Sequence, residues 1–366
     1  MEELRRTPLD AVHRQTGARM VPFAGWDMPV MYSSILEEAR SVRQGCGMFD
    51  ISHMGRVYVE GPDALDLLQR TTTNDVNALL PGTAQYSLIA NPDGGIIDDI
   101  IVYRVDAQKF LVVVNASNSD KDISWFRSHA TASVEFNVVT QETAMIAVQG
   151  PRALEVASKA FRSDAVLNIG RFEFATLELE IAGCNATITA CRTGYTGEDG
   201  LELIIPASMA PTLWARLHDE GAAPCGLGAR DTLRIEAGYP LYGHEIDDNT
   251  SPVEALLMWA VSLTKGNFIG REPIAKLKSQ KPARKLLGLK SDQRMQPRQG
   301  YTLFSNGERI GAITSGTFSP AHNITLAMAY IESSAATPGN IVQIQVRDKF
   351  VDAEIIPKKA MLQSAR

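Results

Sequence analysis

Between Ile96 and Tyr103 the chain reads Ile-Ile-Asp-Asp-Ile-Ile-Val-Tyr, a β-branched and aromatic run suited to a buried strand that nevertheless carries two adjacent carboxylates. Strand side chains alternate faces, so Asp98 and Asp99 must point to opposite sides of a sheet, and Asp99 shares its side with Ile101 and Tyr103. The fold must therefore offer at least one carboxylate a pocket; the alternative is that one acid bonds backbone at a turn while the other reaches solvent. Ser87-Leu88-Ile89-Ala90 and the turn Asn91-Pro92-Asp93-Gly94-Gly95 precede this run, which predicts a hairpin with the acidic pair on its second strand.

A chain of 366 residues exceeds one ordinary core and suggests two or three domains. Its net charge of -6 argues against a general affinity for nucleic acid. The four cysteines form no CxxC pair and no histidine cluster has metal-ligand spacing, so reduced thiols, a cytoplasmic setting and no metal are expected. The N-terminal segment Met1-Glu2-Glu3-Leu4-Arg5-Arg6 lacks the apolar core of a signal peptide, and no run approaches a membrane span.

The segments mix α and β. Ser34 with Glu37 predicts a capped helix through Arg43, stopped at Gly45. The strand Arg56–Glu60 runs into Gly61-Pro62-Asp63-Ala64-Leu65, a helix start, and Ala144–Gln149 runs into Gly150-Pro151-Arg152-Ala153-Leu154 in the same way. That echo suggests two related α+β units. Helical periodicity returns at Ala210–His218 and Ala229–Ala237. The basic, polar segment Lys276–Gln299, with Pro282 and Pro297, reads as an interdomain linker, though its lysines could also meet an acidic partner. Beyond it, Tyr301–Phe304, Ile310–Thr314 and Ile341–Val346 are short strands of a small β-barrel.

Arg192-Thr193-Gly194-Tyr195-Thr196-Gly197-Glu198-Asp199-Gly200-Leu201-Glu202-Leu203 packs three glycines around a tyrosine, which reads either as a turn or as backbone that approaches a ligand ring. Glu202 between two leucines could accept paired hydrogen bonds from an amide-and-amine edge such as a pterin presents, or could be an exposed strand acid. Gly226-Leu227-Gly228-Ala229-Arg230-Asp231 opens a helix with an arginine in its first turn, against the macrodipole preference, so Arg230 serves a ligand or pairs with Asp231.

Phe23-Ala24-Gly25-Trp26-Asp27-Met28-Pro29, Met48-Phe49-Asp50-Ile51-Ser52-His53-Met54-Gly55, Gly94–Asp99, Arg192–Gly200 and Gly226–Asp231 together resemble the aminomethyltransferase, or T-protein, family of the glycine cleavage system. The resemblance spans nearly the whole chain, in order and at suitable separations. It implies an α+β fold of three domains in a cloverleaf around a central folate funnel: residues 1–50 with 144–275, residues 51–143 carrying the acidic pair, and a C-terminal β-barrel at 284–366. It implies transfer of the methylene of an aminomethyl group from the lipoyl arm of H-protein to tetrahydrofolate, releasing ammonia and giving 5,10-methylenetetrahydrofolate, with no metal, nucleic acid or membrane involved.

By motif position, Asp99 resembles the catalytic aspartate and Asp98 a structural one. Met54, Tyr86, Tyr103, Asn115, Tyr195, Glu202 and Arg230 match folate-site positions, Glu202 at the pterin edge. The tail Ile356-Pro357-Lys358-Lys359-Ala360 lacks aromatic residues many relatives place there. Two other functions share the fold: a folate-dependent demethylase of a small sulfonium or amine compound, and a non-enzymatic folate-binding iron–sulfur assembly protein. The latter is marked by a cysteine where this chain has Asn267, in Lys265-Gly266-Asn267-Phe268, and without a thiolate that function loses its residue.

Overall fold

A computed structural model describes residues 3–181 and 183–364. The first sheet of the functional core has five antiparallel strands in the order Thr83–Ala90, Ile96–Arg104, Lys109–Val114, Gly55–Glu60 and Glu135–Val138. A six-stranded sheet follows the order Phe174–Ile181, Cys184–Cys191, Gly200–Pro206, Thr143–Gln149, Gly47–Asp50 and Ala223–Pro224. The N-terminal strands Arg5–Arg6, Trp26–Met31 and Arg19–Phe23 form a small third sheet.

The repeated Gly-Pro signal marks the same device in both large sheets. Gly61 (φ 124°) and Gly150 (φ 132°) each turn a strand end into a helix, Ala64–Thr71 and Ala153–Phe161. Each helix buries one apolar side on its own sheet, Leu67 and Leu68 on Val57 and Val112 in one case and Val156 and Ala157 on Ile146 and Leu203 in the other. The facing sides of the two sheets meet in a shared apolar layer that includes Phe49, Tyr103, Val113, Met145 and Leu233.

The C-terminal strands close into a six-stranded barrel, Gly288 of the first strand pairing with Ile356 of the last, around Leu287, Leu289, Ile313, Ala329 and Ile355. The Lys276–Gln299 segment is not a linker. Lys276–Ser279 ends a helix begun at Arg271, and Arg284–Ser291 is the first barrel strand, with Leu286, Leu287 and Leu289 buried. Its charged residues fall at the strand's start and on one half-buried position near its end, and Pro282 and Pro297 sit outside the strand, where a missing N–H does no harm. The segment before it, from Tyr242 to Leu277, packs on Leu88, Ala90 and Ile96 at the hairpin end of the five-stranded sheet. Among the described residues no helix is long and apolar enough to cross a membrane.

Two buried ionic links fix the helix Leu227–Glu236 against the rest. Ser34 caps Ile35–Gln44 as its spacing predicts, accepting from Glu37 N at 3.3 Å. The next residue, Glu38, accepts from the backbone N–H of Tyr32 at 2.7 Å and of Gly226 at 2.8 Å, so one buried carboxylate ties two loops to the start of the second helix. Gly226 is obligatory there because a Cβ would lie 2.3 Å from the Val30 carbonyl carbon. At the other end, Arg234 donates to Glu245 at 2.7 Å and to Ser315 Oγ of the barrel at 2.7 Å.

Candidate active site

The hairpin, the Arg192–Glu202 stretch and the Leu227–Glu236 helix converge on one cavity of about 910 Å³. The acidic pair divides as strand alternation requires: Asp98 is fully buried, whereas Asp99 opens onto the cavity. Ile89 pairs with Asp98 and Ala90 with Ile96, so Ile97 is the extra residue of a β-bulge beside the acids. Its carbonyl accepts from Lys121 Nζ at 2.8 Å.

Asp98 is held by amides. Its Oδ1 accepts from Asn118 Nδ2 at 2.7 Å and Asn115 Nδ2 at 2.9 Å, and its Oδ2 from the Asn115 backbone N–H at 3.1 Å. The same Asn115 amide donates to Asp99 Oδ1 at 2.8 Å, and the Tyr86 hydroxyl donates to Asp99 Oδ2 at 3.1 Å. Burial and the adjacent Asp98 charge push the Asp99 carboxyl up to about 7, against the pull of those two hydrogen bonds. A carboxyl so placed can take up and release a proton at neutral pH.

Across the cavity, Glu202 is buried in the strand Gly200–Pro206 and accepts from Thr193 Oγ1 at 2.5 Å through Oε2. Arg230 lies over the Tyr195 ring, 4.9 Å from its centre, and its Nη1 is buried with no hydrogen-bond partner among the described residues. Asp231 is not its partner, since Arg234 Nε takes that carboxylate at 2.9 Å. Helix geometry explains the choice: residues three apart face each other and adjacent ones do not. The Tyr195 hydroxyl donates to the Pro240 carbonyl, which leaves the ring as its offering to the cavity. An unsatisfied buried guanidinium is costly, and a ligand carbonyl or carboxylate would satisfy it.

Met54 and Asn115 also line the cavity, but Tyr103 does not. It is fully buried, its hydroxyl shares a 3.1 Å hydrogen bond with Thr193 Oγ1, and Phe174 meets its ring edge-on at 5.5 Å. Alternation put Tyr103 on the face of Asp99, but Thr193 covers that face two residues beyond Ile101. The glycine-rich stretch lines the cavity through Gly194, Tyr195, Gly197 and Gly200. Gly194 makes room for a protein side chain: a Cβ there would lie 2.0 Å from Gln149 Oε1, and Gln149 Nε2 donates to the Thr193 carbonyl at 3.1 Å.

Two cavity residues carry no strong sequence signal. Trp259 is 65 % exposed and stacks on Tyr86 with ring centres 4.9 Å apart, so it forms part of the rim. His53 is buried on the wall, edge-on to Phe23, with Nδ1 unpartnered among the described residues. Burial drives its pKa down to about 3, with Arg230 and Arg56 adding to the effect and Asp50 opposing it, so the ring is neutral. The sequence places His53 inside the Met48–Gly55 motif but gives no sign that it lines a pocket. Asn267, by contrast, is exposed and lies outside this cavity.

Comparison with known proteins agrees with this geometry. The family model for the GCVT N-terminal domain matches residues 9–265, and that for the glycine cleavage T-protein C-terminal barrel domain matches residues 284–360. The chain is 43% identical over 364 residues to an aminomethyltransferase of Symbiobacterium thermophilum, covering 97% of this chain and 96% of that one. It is 41% identical over 358 residues to the aminomethyltransferase of Bacillus subtilis, covering 96% and 98%. The crystal structure of glycine cleavage system aminomethyltransferase T from Bartonella henselae superposes with a TM-score of 0.91 at 33% identity, covering 99% of both chains. With both family models in register and full-length relatives well above the identity at which folds diverge, the chain belongs to the glycine cleavage T-protein family.

Proposed function

We propose that this protein is an aminomethyltransferase of the glycine cleavage system, and that Asp99 is the group that handles the proton in its reaction. The acceptor is tetrahydrofolate and the donor an aminomethyl group on the lipoyl arm of H-protein. The observation that carries the assignment is the convergence in one cavity of a carboxyl poised near pH 7, an arginine whose buried Nη1 has no partner among the described residues, and a buried glutamate that accepts from Thr193 through Oε2. Folate needs all three: Glu202 takes the amide-and-amine edge of the pterin, Arg230 a carbonyl or carboxylate, and Asp99 faces the reacting nitrogens. Met54, Asn115, Tyr86 and Tyr195 complete the wall, and Tyr103 acts only through Thr193.

The balance of the reaction sets what Asp99 must do. A folate nitrogen attacks the methylene carbon, the carbon–sulfur bond breaks, and a second folate nitrogen closes the bridge as ammonia leaves. The two N–H protons lost by folate end on the thiol and on ammonia. Cationic character develops at the carbon between these steps, and a carboxylate beside it stabilises that charge and relays the protons. Holding donor and acceptor in one funnel supplies the remaining advantage. The three domains proposed for this architecture, residues 1–50 with 144–275, 51–143 and 284–366, draw support from sheet membership, although Tyr242–Leu277 packs on the second of them. A cytoplasmic location accords with the reduced, buried thiols of Cys46, Cys191 and Cys225.

The discriminating experiment measures ammonia release from aminomethylated carrier protein beside methyl transfer from a small sulfonium or amine donor, both with tetrahydrofolate. Ammonia release with carrier alone is expected. Methyl transfer without ammonia release would replace this reading with the demethylase one.

A further inference from the structure

Behind the acidic pair lies a third carboxyl that the reaction does not use. Asp122, in the first turn of the helix Ser119–His129, is fully buried, and neither of its oxygens has an N–H or O–H donor among the described residues. The Asp122 backbone N–H donates to the Asn118 carbonyl at 2.8 Å, and the Asn118 side chain donates to Asp98 at 2.7 Å, so the helix start brings Asp122 up to the Asp98 carboxyl, itself fully buried. Two bare carboxylates cannot share a dry site, because each lacks a proton to give and their charges repel; one proton between them converts the repulsion into a hydrogen bond. Asp98 already accepts three hydrogen bonds from Asn115 and Asn118, all of which favour its charged form, so the proton resides on Asp122.

We propose that Asp122 is a positioning residue for Asp99: as a neutral acid it donates to Asp98, and Asp98 in turn anchors the Asn115 amide that donates to Asp99. The chain runs Asp122, Asp98, Asn115, Asp99, and its last two links are 2.9 and 2.8 Å. Burial, then the charge of Asp98 and the hydrogen bond to it, push the Asp122 carboxyl up to about 11; Lys121 opposes this and Asp99 reinforces it. Asp98 and Asp99 come from the hairpin strand and Lys121 from Asp122's own helix, and Asp248 lies 4.0 Å from the Lys121 ammonium. Lys121 is already committed, to the Ile97 carbonyl at 2.8 Å and, on the loop beyond the Leu227–Glu236 helix, to the Tyr242 hydroxyl at 2.9 Å. Without the third carboxyl, Asp98 would lose one of the donors that fix its orientation, and the Asn115 amide could rotate off Asp99.

This inference rests on Asp99 as the reacting carboxyl, which Asp99→Asn tests by itself. Asp122→Asn keeps a neutral donor of the same shape, whereas Asp122→Leu removes the donor while keeping the branched heavy-atom skeleton. The expected result is turnover within about twofold of the parent for Asp122→Asn and a loss of about tenfold for Asp122→Leu, with folate affinity unchanged in both by calorimetry. A positional role predicts this rescue by the amide and a loss in kcat without a change in KM. Equal impairment of the two variants would mean that Asp122 works as an anion, and full activity of Asp122→Leu would mean that it positions nothing. Infrared spectroscopy of the parent protein reads the protonation directly: the carbonyl stretch of a protonated carboxylic acid should persist at about pH 9, where free carboxyls are ionised, and vanish in Asp122→Asn. Its absence from the parent protein at that pH would overturn the proposal.

Discussion

Replacing Asp99 by asparagine separates chemistry from architecture, because the structure can absorb the amide without an orphaned group. The amide oxygen can keep the Asn115 hydrogen bond of 2.8 Å, and its NH₂ can face the Tyr86 hydroxyl, now 3.1 Å away, which turns to accept. Folate binding should therefore survive. Turnover should fall by about a hundredfold or more, the usual scale for loss of a positioned acid–base group, or about 2.7 kcal/mol of transition-state stabilisation. Stability should move the other way. Relative to an ordinary value of 3.8, the folded state raises the Asp99 pKa to about 7, so the ionised form is disfavoured by folding. A raised carboxyl adds most to stability below its unfolded pKa, and that contribution is lost as pH rises through 4 to 7. The full interval corresponds to about 4 kcal/mol, but the carboxyl meets water in the funnel, so about 1–2 kcal/mol is the working expectation. Asp99→Asn should thus melt at or above the parent at about pH 8, and parental activity should decline below about pH 7 as Asp99 protonates. Single-turnover assays with aminomethylated carrier, folate calorimetry and melting curves across pH measure all three. A folded, folate-binding Asp98→Asn that loses turnover while Asp99→Asn stays active would reverse the assignment of the two acids.

Glu202→Ala should weaken folate binding by about 2 kcal/mol or more, since paired donors would lose a charged acceptor in a desolvated site; calorimetry showing unchanged affinity in a folded variant would remove Glu202 from the pterin edge. Arg230→Ala should cut folate affinity with little change in melting temperature, because its buried Nη1 has no hydrogen-bond partner among the described residues; a large melting loss without a selective binding loss would make it structural. Lys265→Met should do the opposite. Its ammonium donates to the carbonyls of Gln69, Thr72 and Asn74, each at 2.7 Å, and their abandonment should cost about 2–4 kcal/mol while leaving folate affinity intact, as melting and calorimetry together would show.

Local chemistry was enough to read much of this protein from its residues. The Asn91–Gly95 turn, the cap at Ser34, the paired Gly-Pro starts and the division of Asp98 from Asp99 all rest on interactions between near neighbours, and strand alternation is a property of covalent geometry. The motif order added the family, and with it a set of candidate pocket residues, of which Tyr103 does not line the cavity. What neighbours cannot reveal is where a face becomes covered. Tyr103 obeys the alternation that exposes Asp99, yet Thr193, ninety residues away in the chain, closes over it. The glycines near Tyr195 line the cavity, and the sequence could not show that Gly194 also makes room for Gln149. Asp231 looked like a partner for Arg230, but helix geometry gives it to Arg234 and leaves Arg230 Nη1 without a partner among the described residues. Asp122 had no sequence signal at all, because its protonation depends on sharing a dry site with Asp98. Burial and long-range proximity, which set charge states and decide which donors remain free, exist only once the sheets have closed on one another.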